Sequence, residues 1–136
     1  MKYILDTNTV IAAGTRGSAA HKRLRVLSRD EIGMSAVVFG ELLYGAYRSS
    51  RPAENLERVR RLGSSFDLIP VDEQIVERYG FLRADLEQRG LSKSDFDLLI
   101  AATAIENGAT LVTNDRALND GSIAGLSVED WLAPGP

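Results

Sequence analysis

An α/β fold, with a central parallel sheet of about four or five short strands flanked by helices, is predicted by two features of the sequence. Short apolar runs typical of strands alternate along the chain with segments whose apolar residues recur at helical spacing. No internal repeat, low-complexity linker or change of composition interrupts this alternation. A chain of 136 residues can bury an ordinary core, so we expect one domain spanning residues 1–136.

The predicted strands are short and rich in apolar or β-branched residues, and most are bounded by polar or turn-forming residues. They cover Lys2–Leu5, Ile32–Met34, Phe66–Val71, Ala109–Thr113 and Leu126–Val128.

The predicted helices begin at capping residues and carry apolar residues at helical spacing. They cover Thr9–Ala13 with Thr7 or Asn8 as the N-cap, His21–Ser28, Ala36–Tyr47 after Ser35, Ala53–Leu62, a long helix from Asp72 to about Gln88 that Gly90 stops, and Phe96–Glu106 after Ser92 or Ser94.

Composition excludes several classes of function. The sequence has no cysteine, so disulfides, thiolate metal ligands and cysteine nucleophiles are excluded. The net charge of -3 excludes a globally basic surface, so any affinity for nucleic acid must come from local arginine clusters. No apolar run approaches the roughly 20 residues of a membrane span, and no secretory signal is visible. We therefore expect a soluble, cytoplasmic protein that binds no membrane.

Four acidic residues lie among residues that normally build a core. Asp6 ends an apolar strand, Glu41 is embedded in AVVFGELLYGA, Asp97 opens DLLIAATAI, and Asp115 follows the strand TLVTN. An ionised carboxylate in apolar surroundings needs a cation, backbone amides or a metal ion as its partner. These four residues are the candidate catalytic groups.

Each acid except Glu41 also has a purely structural interpretation. Asp97 stands at the third helical position if Ser94 is the N-cap, where the helix dipole stabilises a carboxylate. Asp6 is a candidate for a capping turn, and Asp115 for a turn with Arg116 beside it. Glu41 lies in the middle of a helix, so we expect it to point inward, toward the other acids.

Topology favours a shared site. Asp6 and Asp115 follow strands of a parallel sheet, and ligands bind at the carboxyl edge of such sheets. The helix that starts near Asp97 leads into the strand before Asp115, so its N-terminus lies at that edge as well. Oxygen ligands without histidine or cysteine are those that Mg²⁺ or Mn²⁺ prefers, and such ions promote phosphodiester hydrolysis.

The segments KYILDTN, SAVVFGELLYGA, DLLIAATAIENGATLVTND and GLSVEDW together resemble the PIN-domain family, in particular its VapC toxins. The resemblance implies that Asp6, Glu41, Asp97 and Asp115 are the catalytic acids, with Asp6, Asp97 and Asp115 binding Mg²⁺ or Mn²⁺. It also implies supporting roles for Asn8 and Thr113.

The same resemblance implies an endoribonuclease, often specific for a tRNA, that forms a homodimer and is neutralised by a VapB-type antitoxin. The antitoxin is expected to place a basic side chain in the acidic pocket. One departure concerns the second acid that follows Asp115 in many relatives. Arg116, Ala117 and Leu118 stand here instead, and Asp120 is either a substitute ligand or a turn residue.

Three other interpretations are open from the residues alone. A haloacid-dehalogenase-like phosphatase needs a second aspartate two positions after the first, where this sequence has Asn8. A receiver domain needs an early acidic pair and a late lysine, but no lysine follows Lys93. The non-enzymatic alternative is a catalytically silent PIN-like module that binds RNA or a partner, and the presence of all four acids argues against it.

Overall fold

The computed structural model describes residues 1–132, and its centre is a five-stranded parallel sheet with the strand order β3-β2-β1-β4-β5. The strands are β1 (Tyr3–Leu5), β2 (Ile32–Ser35), β3 (Asp67–Ile69), β4 (Thr110–Val112) and β5 (Val128–Glu129). The predicted α/β class and parallel sheet are thus confirmed.

Seven α-helices within residues 1–132 connect these strands. They are α1 (Thr7–Ala13), α2 (Ala19–Arg25), α3 (Ala36–Tyr47), α4 (Pro52–Gly63), α5 (Glu73–Gln88), α6 (Asp95–Glu106) and α7 (Arg116–Asn119), and a 3-10 turn (Arg29–Glu31) precedes β2. The chain runs outward from β1 to β3 and then returns past β1 to β4. Because such crossovers are right-handed, α1–α4 lie on one face of the sheet and α5–α6 on the other.

The order of the sheet reverses between β1 and β4, which pair in parallel with Leu5 opposite Val112. This is the switch point where open α/β sheets form a crevice at the carboxyl ends of their strands. The residues that follow β1 and β4 therefore face the same crevice.

Apolar side chains from the sheet and from most of the helices form one continuous core. Ile4, Leu5, Leu111 and Val112 of the two central strands are completely buried. Helix α6 also buries most of its apolar residues, which explains why DLLIAATAI is apolar around the whole helix. The edge strand β3, by contrast, leaves Leu68 47% exposed.

Several predicted boundaries are wrong. Helix α1 begins at Thr7 rather than Thr9, because Asp6 is its N-cap in place of Thr7 or Asn8. Helix α2 ends at Arg25, before the predicted Ser28, after starting at the N-cap Ser18. Of the two proposed caps for α6, Ser94 is the one used, and Ser35 and Asp72 cap α3 and α5 as predicted.

The strands also differ from prediction at their ends. Strand β3 is shorter than Phe66–Val71, and Phe66 instead packs in the core. Strand β5 lies at Val128–Glu129 instead of Leu126–Val128, since its register follows Leu111 and Val112 of β4. Helix α7, a single turn with Asp115 as its N-cap, was not predicted.

Across residues 1–132, every helix is too short or too polar to cross a membrane.

Replacing Leu111 by alanine should lower the free energy of unfolding by about 2–5 kcal/mol, because it leaves a cavity at a fully buried position of a central strand. The matched control is Leu68→Ala on the half-exposed edge strand, which should cost less than about 1 kcal/mol. Urea denaturation followed by circular dichroism measures both, and equal losses would contradict the described burial.

Candidate active site

Asp6 and Thr113 lie side by side at the switch point of the sheet. Each follows its strand by one residue, and the Asp6 amide donates a hydrogen bond to the Val112 carbonyl over 3.1 Å. The Thr113 hydroxyl then donates to Oδ2 of Asp6 over 2.5 Å. The pairing of β1 with β4 therefore fixes this carboxylate in the crevice.

The second oxygen of Asp6 is held by the start of α1. The Thr9 amide donates to Oδ1 over 2.9 Å, and the Thr9 hydroxyl donates to the Val112 carbonyl over 3.1 Å. Asp6 is only 5% exposed, so these donors replace the water that the carboxylate loses. Each oxygen retains a lone pair that can bind a cation.

Asp115 is connected to Asp6 through the same threonine. Its backbone amide donates to the Thr113 hydroxyl over 3.0 Å, and that hydroxyl donates onward to Asp6. The Asp115 carboxylate is exposed and accepts from the Ala117 amide over 3.0 Å as the N-cap of α7. This amide, rather than the neighbouring Arg116, holds it.

Asp97 lies in the first turn of α6, where its amide donates to the hydroxyl of the N-cap Ser94 over 3.1 Å. The pKa of Asp97 is raised above its ordinary value, first by burial and then by the negative charges of Asp115 and Asp6. Hydrogen bonding with Ser94 and, to a smaller extent, the charge of Lys93 lower this pKa. Asp6, Asp97 and Asp115, which we call the acidic cluster, are therefore close enough to repel one another.

Glu41 lies beside the acidic cluster and is more exposed than the sequence suggested. Its carboxylate accepts a hydrogen bond from the Thr7 hydroxyl over 2.9 Å, and Thr7 directly follows Asp6. It lines an open groove together with Tyr44 of α3 and Phe96 of α6. Glu41 thus faces the side of the acidic cluster while it keeps contact with solvent.

The structure shows more supporting contacts around the acids than the sequence suggested. Thr113 contacts both Asp6 and Asp115, whereas Asn8 is exposed on the first turn of α1. Sequence reasoning missed Thr7 and Thr9, which hold Glu41 and Asp6. The signal was present, because threonines alternate directly after the strand-ending aspartate in DTNT.

The donor set fits a hard divalent cation, since it consists of carboxylate and hydroxyl oxygens without sulfur or imidazole. Within the described part of the chain, no three acidic or histidine side chains are already arranged as a metal site. Asp6 is fixed, but the exposed Asp115 can rotate at the expense of one amide hydrogen bond. A cation would also offset the burial and the repulsion from Asp115 and Asp6, which together raise the pKa of Asp97.

A parallel α/β sheet with clustered carboxylates at its switch point is typical of metal-dependent nucleases. Residues 3–122 match the family model described as "PIN domain". The chain belongs to the PIN domain family, whose nucleases use a divalent metal ion.

Within the PIN domain family, the chain is similar to VapC proteins. It is 35% identical over 133 residues to "Ribonuclease VapC2" of Rickettsia felis, covering 96% of this chain and 98% of the relative. It is 31% identical over 131 residues to "tRNA(fMet)-specific endonuclease VapC" of Shigella flexneri, covering 96% of this chain and 98% of that relative. The resemblance to VapC proteins stated from the sequence is confirmed.

A solved structure agrees with these relatives. The VapBC2 complex of Rickettsia felis, bound to a DNA fragment from its promoter, contains a chain that matches with a TM-score of 0.86 at 34% identity. The match covers 96% of this chain and 99% of that chain.

Asp97→Asn should stabilise the metal-free protein at pH 7 by a few tenths to about 1 kcal/mol, allowing for screening by solvent. The folded-state pKa of Asp97 is raised, so its ionisation weakens folding once the pH exceeds the ordinary value near 3.8. The gain should shrink as the pH falls toward that value, because the wild-type carboxylate is then protonated.

Urea denaturation in EDTA at several pH values measures this effect. Asp95→Asn is the matched control, since Asp95 lies two residues away, is exposed and pairs with Arg83. A stabilised control, or a destabilised Asp97→Asn protein, would contradict the electrostatic explanation.

Proposed function

We propose that this protein is the toxin of a type II toxin–antitoxin pair and an endoribonuclease that hydrolyses RNA phosphodiesters with Mg²⁺ or Mn²⁺. The observation that carries the proposal is the acidic cluster at the switch point, where Thr113 joins Asp6 to Asp115 and Asp97 is within electrostatic range. Helix starts explain how each carboxylate is tolerated, and a bound cation would explain why three of them gather at the place where α/β proteins bind ligands.

Asp6, Asp97 and Asp115 would hold the cation. When bound, such an ion polarises the phosphate, lowers the pKa of a coordinated water and stabilises the leaving oxygen. Thr113 and Thr9 keep the Asp6 carboxylate in one orientation, so that little reorganisation is needed when substrate arrives.

Glu41 has a different task in this proposal. It contacts solvent, accepts from Thr7 and faces the groove beside the acidic cluster. From this position it would orient the attacking water and accept its proton. Asn8, exposed near Asp6, would contact the substrate rather than the carboxylates.

RNA is the proposed substrate, and a tRNA is the first candidate because the Shigella flexneri relative is named for tRNA(fMet). With a net charge of -3, the protein must attract RNA through the bound cation and local arginines. Cleavage of tRNA would arrest translation, and the protein would act in the cytoplasm, where tRNA is used.

A VapB-type antitoxin is the proposed protein partner, as in the Rickettsia felis complex. A basic antitoxin side chain placed among Asp6, Asp97 and Asp115 would relieve their repulsion and occupy the position of the cation. We further propose a homodimer, in which each subunit is a single domain covering residues 1–136.

Asp6→Asn and Asp97→Asn should each reduce RNA cleavage by at least about a hundredfold, because each removes a charged oxygen ligand and several kcal/mol of transition-state stabilisation. Both should also abolish growth arrest when the protein is expressed without an antitoxin. Sequencing the 5′ ends of cellular RNA after expression measures cleavage and identifies the target together.

Asp95→Asn should retain wild-type cleavage, because its carboxylate is exposed and engaged by Tyr79 and Arg83. Full activity of either Asp6→Asn or Asp97→Asn would refute the mechanism. Wild-type protein that binds RNA but never cleaves it with any divalent ion would identify a silent binding module instead.

Divalent ions should stabilise the wild-type fold through binding to the acidic cluster. At ten times the dissociation constant, Mn²⁺ should raise the free energy of unfolding by about 1.4 kcal/mol. Thermal melting with Mn²⁺ and with EDTA measures this, and Asp97→Asn should remove most of the gain. An equal gain in the variant would place the bound ion elsewhere.

A further inference from the structure

Lys93 is unusual because its side chain is almost fully buried, with 7% exposed, close to the acidic cluster. Its ammonium group lies 3.0 Å from Oδ2 of Asp120. Lysine is rarely buried without a partner, since its charge is costly to remove from water. The burial of Lys93 therefore indicates that its ion pair with Asp120 has a specific role.

Asp120 is itself held firmly. Its Oδ1 accepts from the amide and the hydroxyl of Ser122 over 3.0 and 2.5 Å, and the Ser122 carbonyl accepts from Arg89 over 2.6 Å. The Ser122 donors and Lys93 hold the pKa of Asp120 far below its usual range. Asp120 is thus engaged by protein donors, which argues against its serving as a substitute metal ligand.

The Lys93–Asp120 pair joins the two helices that carry two members of the acidic cluster. Lys93 directly precedes Ser94, the N-cap of α6, and Asp97 lies in the first turn of that helix. Asp120 follows the last residue of α7, whose N-cap is Asp115. The pair therefore connects segments that are only a few residues from each carboxylate.

We propose that Lys93 is a positioning residue of the cation site, which sets the separation of the Asp97 and Asp115 carboxylates by tying α6 to α7 through Asp120. This rests on the proposed function only in assuming that the acidic cluster binds a divalent cation. In this role Lys93 would contact Asp120 and not the ion or the substrate. It fixes the ligands in place, as residues behind a metal site commonly do.

Replacing Lys93 should change the affinity for the cation in opposite directions, depending on whether Lys93 acts by position or only by its charge. A positive charge near Asp97 repels a divalent ion, so removing it would then strengthen binding. If Lys93 positions the ligands, removing it weakens binding because α6 and α7 are no longer tied. The sign of the change in affinity separates the two explanations.

The test measures Mn²⁺ affinity of the full chain by electron paramagnetic resonance, without RNA. Lys93→Met and Asp120→Asn should each weaken binding about tenfold, and the double variant should be no weaker than either one. Lys93→Arg, which retains a donor for Asp120, should remain within about threefold of wild type. In the metal-free protein, the amide NMR signals of Asp97 and Asp115 should shift in Lys93→Met.

Arg78→Met is the matched control. It removes an ion pair with Glu106 at 2.8 Å, which joins α5 to the far end of α6, so Mn²⁺ affinity should not change. Tighter binding by Lys93→Met, or unchanged binding by both Lys93→Met and Asp120→Asn, would overturn the proposal. If Lys93→Met does not fold, Lys93→Gln takes its place, because only removal of the lysine charge gives opposite signs under the two explanations.

These outcomes can be separated from failure of the proposed function. A wild-type protein that binds Mn²⁺ without cleaving RNA would reject the nuclease activity, while the affinities of the variants would still decide the role of Lys93. A wild-type protein without any Mn²⁺ affinity would overturn both proposals.

Discussion

The parallel pairing of β1 with β4 is the constraint on which the site depends. Leu5 lies opposite Val112, so both strands end at the same level and Asp6 can donate its amide to the Val112 carbonyl. Only this register places the Thr113 hydroxyl 2.5 Å from the Asp6 carboxylate. A slip of one residue would turn Asp6 toward the opposite face of the sheet. The chemistry of the crevice therefore depends on the apolar residues that fix the register.

The N-termini of three helices stabilise the negative charges of the acidic cluster. Asp6 caps α1, Asp97 lies in the first turn of α6, and Asp115 caps α7. Free amides and the positive end of the dipole favour a carboxylate at such positions. Capping and cation binding, which looked like competing explanations in the sequence, are thus compatible: the helix starts hold the carboxylates that a cation would bind.

Much of this arrangement could be predicted from the sequence because it follows from chain order. Strand ends and helix starts place Asp6, Asp97 and Asp115 at one edge without knowledge of side-chain contacts. The cross-strand contacts of Thr9 and Thr113 could not be predicted, since they form only when β1 and β4 are paired. The DTNT pattern and the family resemblance indicated that these threonines support the acids, but not which atoms they contact. The Lys93–Asp120 pair joins residues 27 positions apart, and nothing local in the sequence distinguishes it from surface charges.

Glu41 departs from the other acids because it lies in the middle of α3, where every amide is already used by the helix. Without free amides, its charge can be stabilised only by a side chain or by water. The structure provides both, through the Thr7 hydroxyl and an open groove. Glu41 is thus held by one hydroxyl and by water, in contrast to the acids at helix starts. Under the proposed function, the acids at the helix starts would bind the cation, with Asp6 fixed and Asp115 free to rotate toward it.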